Sequence, residues 1–356
     1  MTVHTLVSII VPSRGRSSKL QSLLDALAAQ ALPESIAIEV IVVIDGDGDR
    51  PVLPDGLAGQ VIEVEFGGAA NARNVGIKQS SGEILLFMND DVMPDQGCVQ
   101  AHVAAISKGH RAVVGDSPWA SDNEQSLFDV FIAHTPSVFD ARSLVPHGLH
   151  DFRSAWTLNF SILRSAIEGI NEPFNHEIRP VYFEDLEFAF RCLGTDPVIY
   201  YEPAARVVHH HRVCIGEYFK REILLGMMSA VLFEHNRDCH DAIFRITPKE
   251  HASIAEPMLK LDAPDHRRLF SVFTDRAHKP ASVYQDPIAE SQLLHTMHLP
   301  IKRRAFRLGL CAEINRGGID WDQRIAIAAD LYRNDQVFGQ PAINQASPNR
   351  AEPTHA

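Results

Sequence analysis

The chain opens with an apolar run, Leu6 to Val11, that stops at Pro12, Ser13, Arg14, Gly15 and Arg16. Leu20, Leu23, Leu24, Leu27 and Ala28 then recur at helical spacing, with Ser17 or Ser18 placed to cap that helix. Ile38 to Ile44 is β-branched, and Val61 to Phe66 is short and alternating. Asn71 to Gln79 reads as a helix, and Ile84 to Met88 is apolar throughout. Apolar runs bounded by turn formers and alternating with helical patterns predict a doubly wound, mostly parallel α/β sheet. From about Asp116 to Arg212 the pattern loosens into loops rich in Pro, Ser and His, with a few short strands and one helix near Phe183 to Leu193. Helical spacing returns in Tyr218, Phe219, Ile223, Leu224, Met227, Met228, Val231 and Leu232. The boundaries this predicts are 1–115, 116–214, a helical region 215–339, and a polar, Pro/Asn-rich tail 340–356 expected to be disordered.

Composition narrows the classes. With 356 residues the chain can bury a large core, and its 45% apolar and 22% charged shares are those of a globular protein. A net charge of −12 argues against general nucleic-acid binding. The five cysteines, Cys98, Cys192, Cys214, Cys239 and Cys311, form no C-x-x-C pair, which suits a reducing cytoplasm rather than a disulfide framework or zinc site. No signal-type segment opens the sequence and no apolar run is long enough to span a bilayer, so no transmembrane segment is expected.

Five places can carry chemistry. Asn89, Asp90 and Asp91 close the buried run 84–88, where open α/β sheets bind ligands. Two adjacent carboxylates there call for a cation, and a divalent metal holding a diphosphate is the economical choice; the plain alternative is that Asp90 or Asp91 caps a helix. Pro12 to Arg16 is a Gly-containing turn at the end of the first strand, with two arginines able to meet phosphate. Asp45, Gly46, Asp47, Gly48 and Asp49 follow the second strand, where an acid can accept hydrogen bonds from a ribose or base edge. The run Gly67 to Gly76 is small-residue-rich and holds Arg73 within reach of a diphosphate. Downstream lie Glu184 and Asp185 at a helix start and the triplet His209, His210, His211, of which 209 and 211 share a face if the chain is extended.

In series these residues resemble the family 2 glycosyltransferases of the GT-A fold. The series runs from Val7–Pro12 with Arg16, through Val42–Gly46, Ala72–Gly76, Gly82–Ile84 and Phe87–Asp91, to Asn159, the Glu184–Asp185 pair, Arg191 and His209, and covers roughly residues 5 to 215. The resemblance implies a Rossmann-like, mixed, mostly parallel sheet flanked by helices, here with a C-terminal helical extension. Residues 1–115 become the nucleotide-sugar-binding half and 116–214 the acceptor-binding, catalytic half. It implies an inverting, metal-dependent transferase that moves a sugar from a nucleotide-diphosphate donor, UDP-sugar first, to a hydroxyl of a carbohydrate or glycoconjugate acceptor, using Mg²⁺ or Mn²⁺, in glycan or polysaccharide biosynthesis.

Carried over to this chain, Asp45 contacts the nucleoside with Pro12 and Arg16 lining its pocket. Arg73 lies near the diphosphate, Asp91 ligates the metal, and Asp90 touches ribose or metal. The Glu184–Asp185 pair supplies the catalytic base, with Asp185 the choice, and His209 is a further metal or diphosphate contact. Asn89 stands where the family often has Asp; its amide can bind a ribose hydroxyl but adds no charge. Two other classes stay open, a sugar-nucleotide pyrophosphorylase and a non-catalytic nucleotide-sugar binder. The expected location is cytoplasmic, with peripheral attachment to the inner face of the membrane as the variant. The stretch from Ile215 to about Arg237 is predicted to be an amphipathic helix packing on the catalytic domain; Glu217, Glu222 and Glu234 offset Lys220 and Arg221 and disfavour a membrane-surface role.

Overall fold

The computed structural model describes residues 5–15, 17–121, 125–139, 143–178 and 182–339. Two compact units form: Met1–Ala120 with Asp140–His211, and Ser121–Phe139 with Arg212–Ala356. In chain order the elements are β1 (Thr5–Ser13), α1 (Ser17–Ala28), β2 (Ile36–Asp45), β3 (Gly59–Val64), α2 (Ala69–Gln79), β4 (Ile84–Met88), β5 (Val92–Pro94) and α3 (Cys98–Ser107). They continue with β6 (Ala112–Asp116), α4 (Leu127–His134, in the second unit), β7 (Leu149–His150), β8 (Asn159–Leu163), α5 (Glu184–Leu193) and β9 (Ile199–His209).

The first unit is built on one sheet, ordered β3-β2-β1-β4-β8-β6-β9-β5, with β7 also on β9. β3, β2, β1 and β4 are parallel neighbours; β8 runs against them, and β6 and β9 return to their direction. This is the mixed, mostly parallel sheet with flanking helices that the alternating pattern predicts. The all-apolar β4 is central in the sheet, with a strand at each edge, and is buried at every residue. Parallel register brings the carboxyl ends of β1, β2 and β4 to one edge, so Ser13, Asp45 and Asn89–Asp91 share it. Asp90 and Asp91 cap no helix: the short strand β5 follows them, and α3 starts only after Gly97, in left-handed conformation at φ 84°.

Asn159 knits the centre of this sheet. It pairs with Met88 across β4–β8, and its amide donates to the carbonyls of Asp116 (3.1 Å) and Ala205 (2.8 Å). Its carbonyl meets His102 Nε2 at 2.9 Å, and His102 Nδ1 meets Ser161 Oγ at 2.8 Å. Complete burial pushes the His102 pKa down to about 4, so the imidazole is a neutral structural link.

The second unit is helical, as expected of the C-terminal region. It holds α4, α6 (Ile215–His235), α7 (Arg237–Phe244), α8 (Pro248–Leu261), α9 (Ala263–Ala277), α10 (Pro287–Arg316) and α11 (Trp321–Asn334). Among the described residues no helix is long and apolar enough to cross a membrane. The apolar positions of α6 are buried against this unit's own helices, chiefly α10 and α11. Glu222, expected on a polar face, is also buried, with Arg221 Nη1 at 2.8 Å and Lys302 Nζ at 3.6 Å.

Reciprocal glycines let α6 and α10 touch backbone to backbone. A Cβ on Gly226 would lie 1.9 Å from the Phe306 carbonyl oxygen, and one on Gly309 would lie 1.8 Å from that of Ile223. Gly226→Ala is therefore expected to destabilise the helical unit by about 1–3 kcal/mol or more, despite alanine's better helix propensity of ~1 kcal/mol. A lowered urea midpoint checks this; an unchanged or raised one contradicts it.

Candidate active site

At the sheet edge, Asp45 acts first on its own chain. Oδ1 accepts the Gly67 N–H at 2.8 Å and Oδ2 the Gly68 N–H at 2.9 Å, closing the turn that enters α2. That turn needs glycine at 68, where φ is 86°. Burial raises the Asp45 pKa, and the two amides and the nearby Arg14 guanidinium oppose the rise. The Arg14 guanidinium lies 3.9 Å over the Phe66 ring, and Gly48 packs against Gly15, so the turns after β1 and β2 meet. Pro12 is half-buried at the end of β1, while Arg16 lies outside the described residues. Beside them the Ser13 hydroxyl donates to Asp90 Oδ2 at 2.6 Å, with both residues buried.

Asn89 is half-buried, and its N–H reaches the Leu158 carbonyl at 3.4 Å. Asp91 is 3% exposed and faces two imidazoles. His209 Nε2 is 3.3 Å from Oδ1 and His211 Nδ1 is 3.4 Å from Oδ2. The extended chain explains the choice: Val92 pairs with His209 across β5–β9, so the side chains of 209 and 211 turn to one face and the His210 N–H donates to the Asp91 carbonyl at 2.8 Å. The imidazoles stack with centroids 5.8 Å apart, and Trp119 lies 4.5 Å from His209 and 6.5 Å from His211. Residues 118–120 bracket the strand, His209 N–H donating to Pro118 and Ala120 N–H to His209.

Among the described residues no three His, Cys, Asp or Glu side chains already have the spacing to hold a metal ion. The donor chemistry at Asp91 does fit one: a buried carboxylate beside imidazoles suits a divalent first-row ion that completes its shell with phosphate oxygens and water.

The acid pair sits on a strained entry. Tyr182 and Phe183 both have positive φ, 76° and 68°, immediately before α5. Such backbone costs about 1–3 kcal/mol per residue and clusters at functional sites. Glu184 is buried and takes Arg73 Nη1 on Oε1 at 3.0 Å. The sequence reading aims Arg73 at a diphosphate; the structure puts it on this carboxylate, with its buried Nε–H making no hydrogen bond among the described residues. The guanidinium also stands 5.4 Å over the Phe174 ring. Asn74 grips Phe174 through two bonds, donating to its carbonyl at 2.7 Å and accepting its N–H at 3.0 Å.

Asp185 is half-buried, and its Oδ1 accepts the Leu186 N–H at 2.9 Å. Burial, then the neighbouring Glu184 charge, pushes its pKa up to about 7, against the pull of Arg73. A turn further on, buried Glu187 closes on Arg191 at 2.7 Å, and Arg191 reaches the Glu172 and Pro173 carbonyls. The pair is tied to the sheet through Phe87, whose ring meets Phe174 at 5.3 Å and Phe188 at 5.8 Å, edge to face.

The predicted residues thus gather into three groups: Asp90 near Asp45, Asp91 with His209, and Arg73 with the acid pair. Sequence reasoning did not single out Ser13, Trp119, Asn74 or Phe174. Ser13 lies inside a marked turn and Asn74 inside the 67–76 run, but no local pattern flags Trp119 or Phe174.

Comparison with known proteins places residues 8–166 within the model of "Glycosyl transferase family 2". A pre-mycofactocin glycosyltransferase of Mycobacterium tuberculosis is 23% identical over 246 residues, 66% of this chain and 49% of that protein. The glycosyltransferase AglE of Haloferax volcanii is 36% identical over 108 residues, 28% of this chain and 35% of that one. The chain therefore spans about half the length of the first relative and a third of the second. The crystal structure of S. aureus TarS 1–349 aligns with a TM-score of 0.45 at 13% identity, covering 89% of this chain and 93% of that one.

Proposed function

We propose, from the match of residues 8–166 to the model of glycosyl transferase family 2, that the chain is an inverting glycosyltransferase using a nucleotide-diphosphate sugar, with a UDP-sugar as the first donor to test. One observation carries the reading: the carboxyl ends of β1, β2 and β4 gather Asp45, Asp90 and Asp91 at one edge, and His209 and His211 face the Asp91 carboxylate. Asp45 shapes the nucleoside pocket through the 67–68 turn and keeps lone pairs for a ribose or base edge. Asp90, oriented by Ser13, and Asn89 serve the ribose.

Asp91 and His209 would hold Mg²⁺ or Mn²⁺, which supplies positive charge to the departing diphosphate. Asp185 performs the proton chemistry. The acceptor hydroxyl oxygen bonds to the anomeric carbon from the face opposite the diphosphate, and its proton passes to the Asp185 carboxylate. The bond from the anomeric carbon to the phosphate oxygen breaks, and its electrons leave on the nucleoside diphosphate. A carboxylate with a pKa near neutrality is matched to that role, since it is ionised at working pH and basic enough to take the proton. The acceptor we propose is a carbohydrate or glycoconjugate.

A thermal-shift panel of UDP-, GDP- and dTDP-sugars, each with and without Mn²⁺, tests the reading. One donor with Mn²⁺ should raise the melting temperature well above either component alone, since a ligand at 100 times its Kd adds about 2.7 kcal/mol. No shift with any sugar nucleotide, with or without metal, would overturn it.

A further inference from the structure

We propose that Arg73 is a positioning residue for the acid pair: by holding Glu184 as a permanent ion pair, it leaves Asp185 as the carboxyl that exchanges protons. The geometry is specific. Arg73 Nη1 is 3.0 Å from Glu184 Oε1, with side-chain exposures of 5% and 8%, so neither group can turn to water. The pair joins residues 111 apart, from α2 and from the first turn of α5. Arg73 is braced against the Phe174 ring, and its neighbour Asn74 fixes the Phe174 backbone at both N–H and carbonyl. Glu184 is therefore committed to this ion pair.

Among the described residues Asp185 has no ion-pair partner of its own. The charges that act on it are Glu184 on its own helix and Arg73 from α2. Glu187 and Arg191 on α5 close on each other, and Arg153 of the 152–154 turn pairs with Asp151. Glu172, His176 and Glu177 on the neighbouring loop pair among themselves. Phe87 and Phe160 of the sheet bring only apolar rings to α5. Among the described residues, the like charge and the opposite charge that act on Asp185 are bonded to each other. Removing either should move its titration, and in opposite directions.

The inference rests on the reading of Asp185 as the base only for its effect on catalysis; the charge relation is measured without it. The full chain, labelled with ¹³C at aspartate carboxyls, is titrated by NMR, with the Asp185 signal assigned by its loss in Asp185→Asn. In Arg73→Met the upper macroscopic step of the acid pair is expected to rise by about one pH unit or more, because the two adjacent carboxylates then lack the cation that offsets their repulsion. In Glu184→Gln the Asp185 midpoint is expected to fall by about as much, because the arginine charge remains without its partner. Arg73→Lys, which keeps the charge, should lie between the parent and Arg73→Met. Midpoints that stay within about 0.3 units in both neutralising variants, or that move in the same direction, would overturn the proposal. The acid limb of kcat/KM for transfer should follow the NMR midpoints; if the midpoints move and the limb does not, Asp185 is not the base, while the role of Arg73 stands.

Discussion

Asp91→Ala is expected to lower Mn²⁺ affinity by more than about 100-fold in calorimetry with UDP present, and to remove transfer activity with it. Loss of a group that merely orients a metal ligand already costs 10–100-fold, and removal of the carboxylate itself should exceed that. His209 and His211 would remain, but with the anion between them gone, two stacked imidazoles offer a divalent ion no charge neutralisation. The fold should survive, because the backbone around Asp91 is fixed by pairs that do not use its side chain, Val92 with His209 and the His210 N–H with the Asp91 carbonyl. Equal binding of Mn²⁺ and UDP by parent and variant would end the assignment.

Asp185→Asn should behave differently. Turnover is expected to drop by about 10²–10⁴, the usual worth of a general base, while donor affinity stays within a few-fold of the parent. In the parent, kcat/KM should climb with pH up to about 7 and then level, because the carboxyl must lose its proton to act. The same raised pKa has a stability consequence with a definite sign. The folded state holds a proton on Asp185 over a range where the unfolded chain has released it, so stability falls as pH rises from the ordinary carboxylate range to about 7. Asparagine removes that loss. The variant should melt above the parent at pH 8, with the difference shrinking toward pH 4. Lower donor affinity with normal turnover at saturation, or a parent pH profile flat from 5 to 8, would contradict this role.

The first half of the molecule was legible because its signals are local. Ile84–Met88 is apolar without interruption because it is a central strand buried on both faces, and its observed limits are those read from the sequence. His209 and His211 were placed on one face by the two-residue period of a strand, and β9 has that period. What could not be read is what joins distant positions. Nothing near Arg73 announces Glu184, and nothing near Asp45 announces the amides of residues 67 and 68. Helix α4 was missed because Leu127–Ile132 is buried throughout and lacks the polar face that marks a helix. Its capping box, Ser126 with Asp129, was the available sign. Glu222 was read as a polar surface residue because sequence spacing cannot supply the Lys302 that lies across from it on α10.

The amide of Asn159 has a consequence for how this scaffold tolerates change. Its two hydrogens and one oxygen reach the end of β6, the middle of β9 and helix α3 from a strand paired with β4. One side chain therefore gauges the separation between the strand that leads to Asp91 and the strand that ends at His209. The spacing of Asp91 and His209 is thus set within the sheet itself.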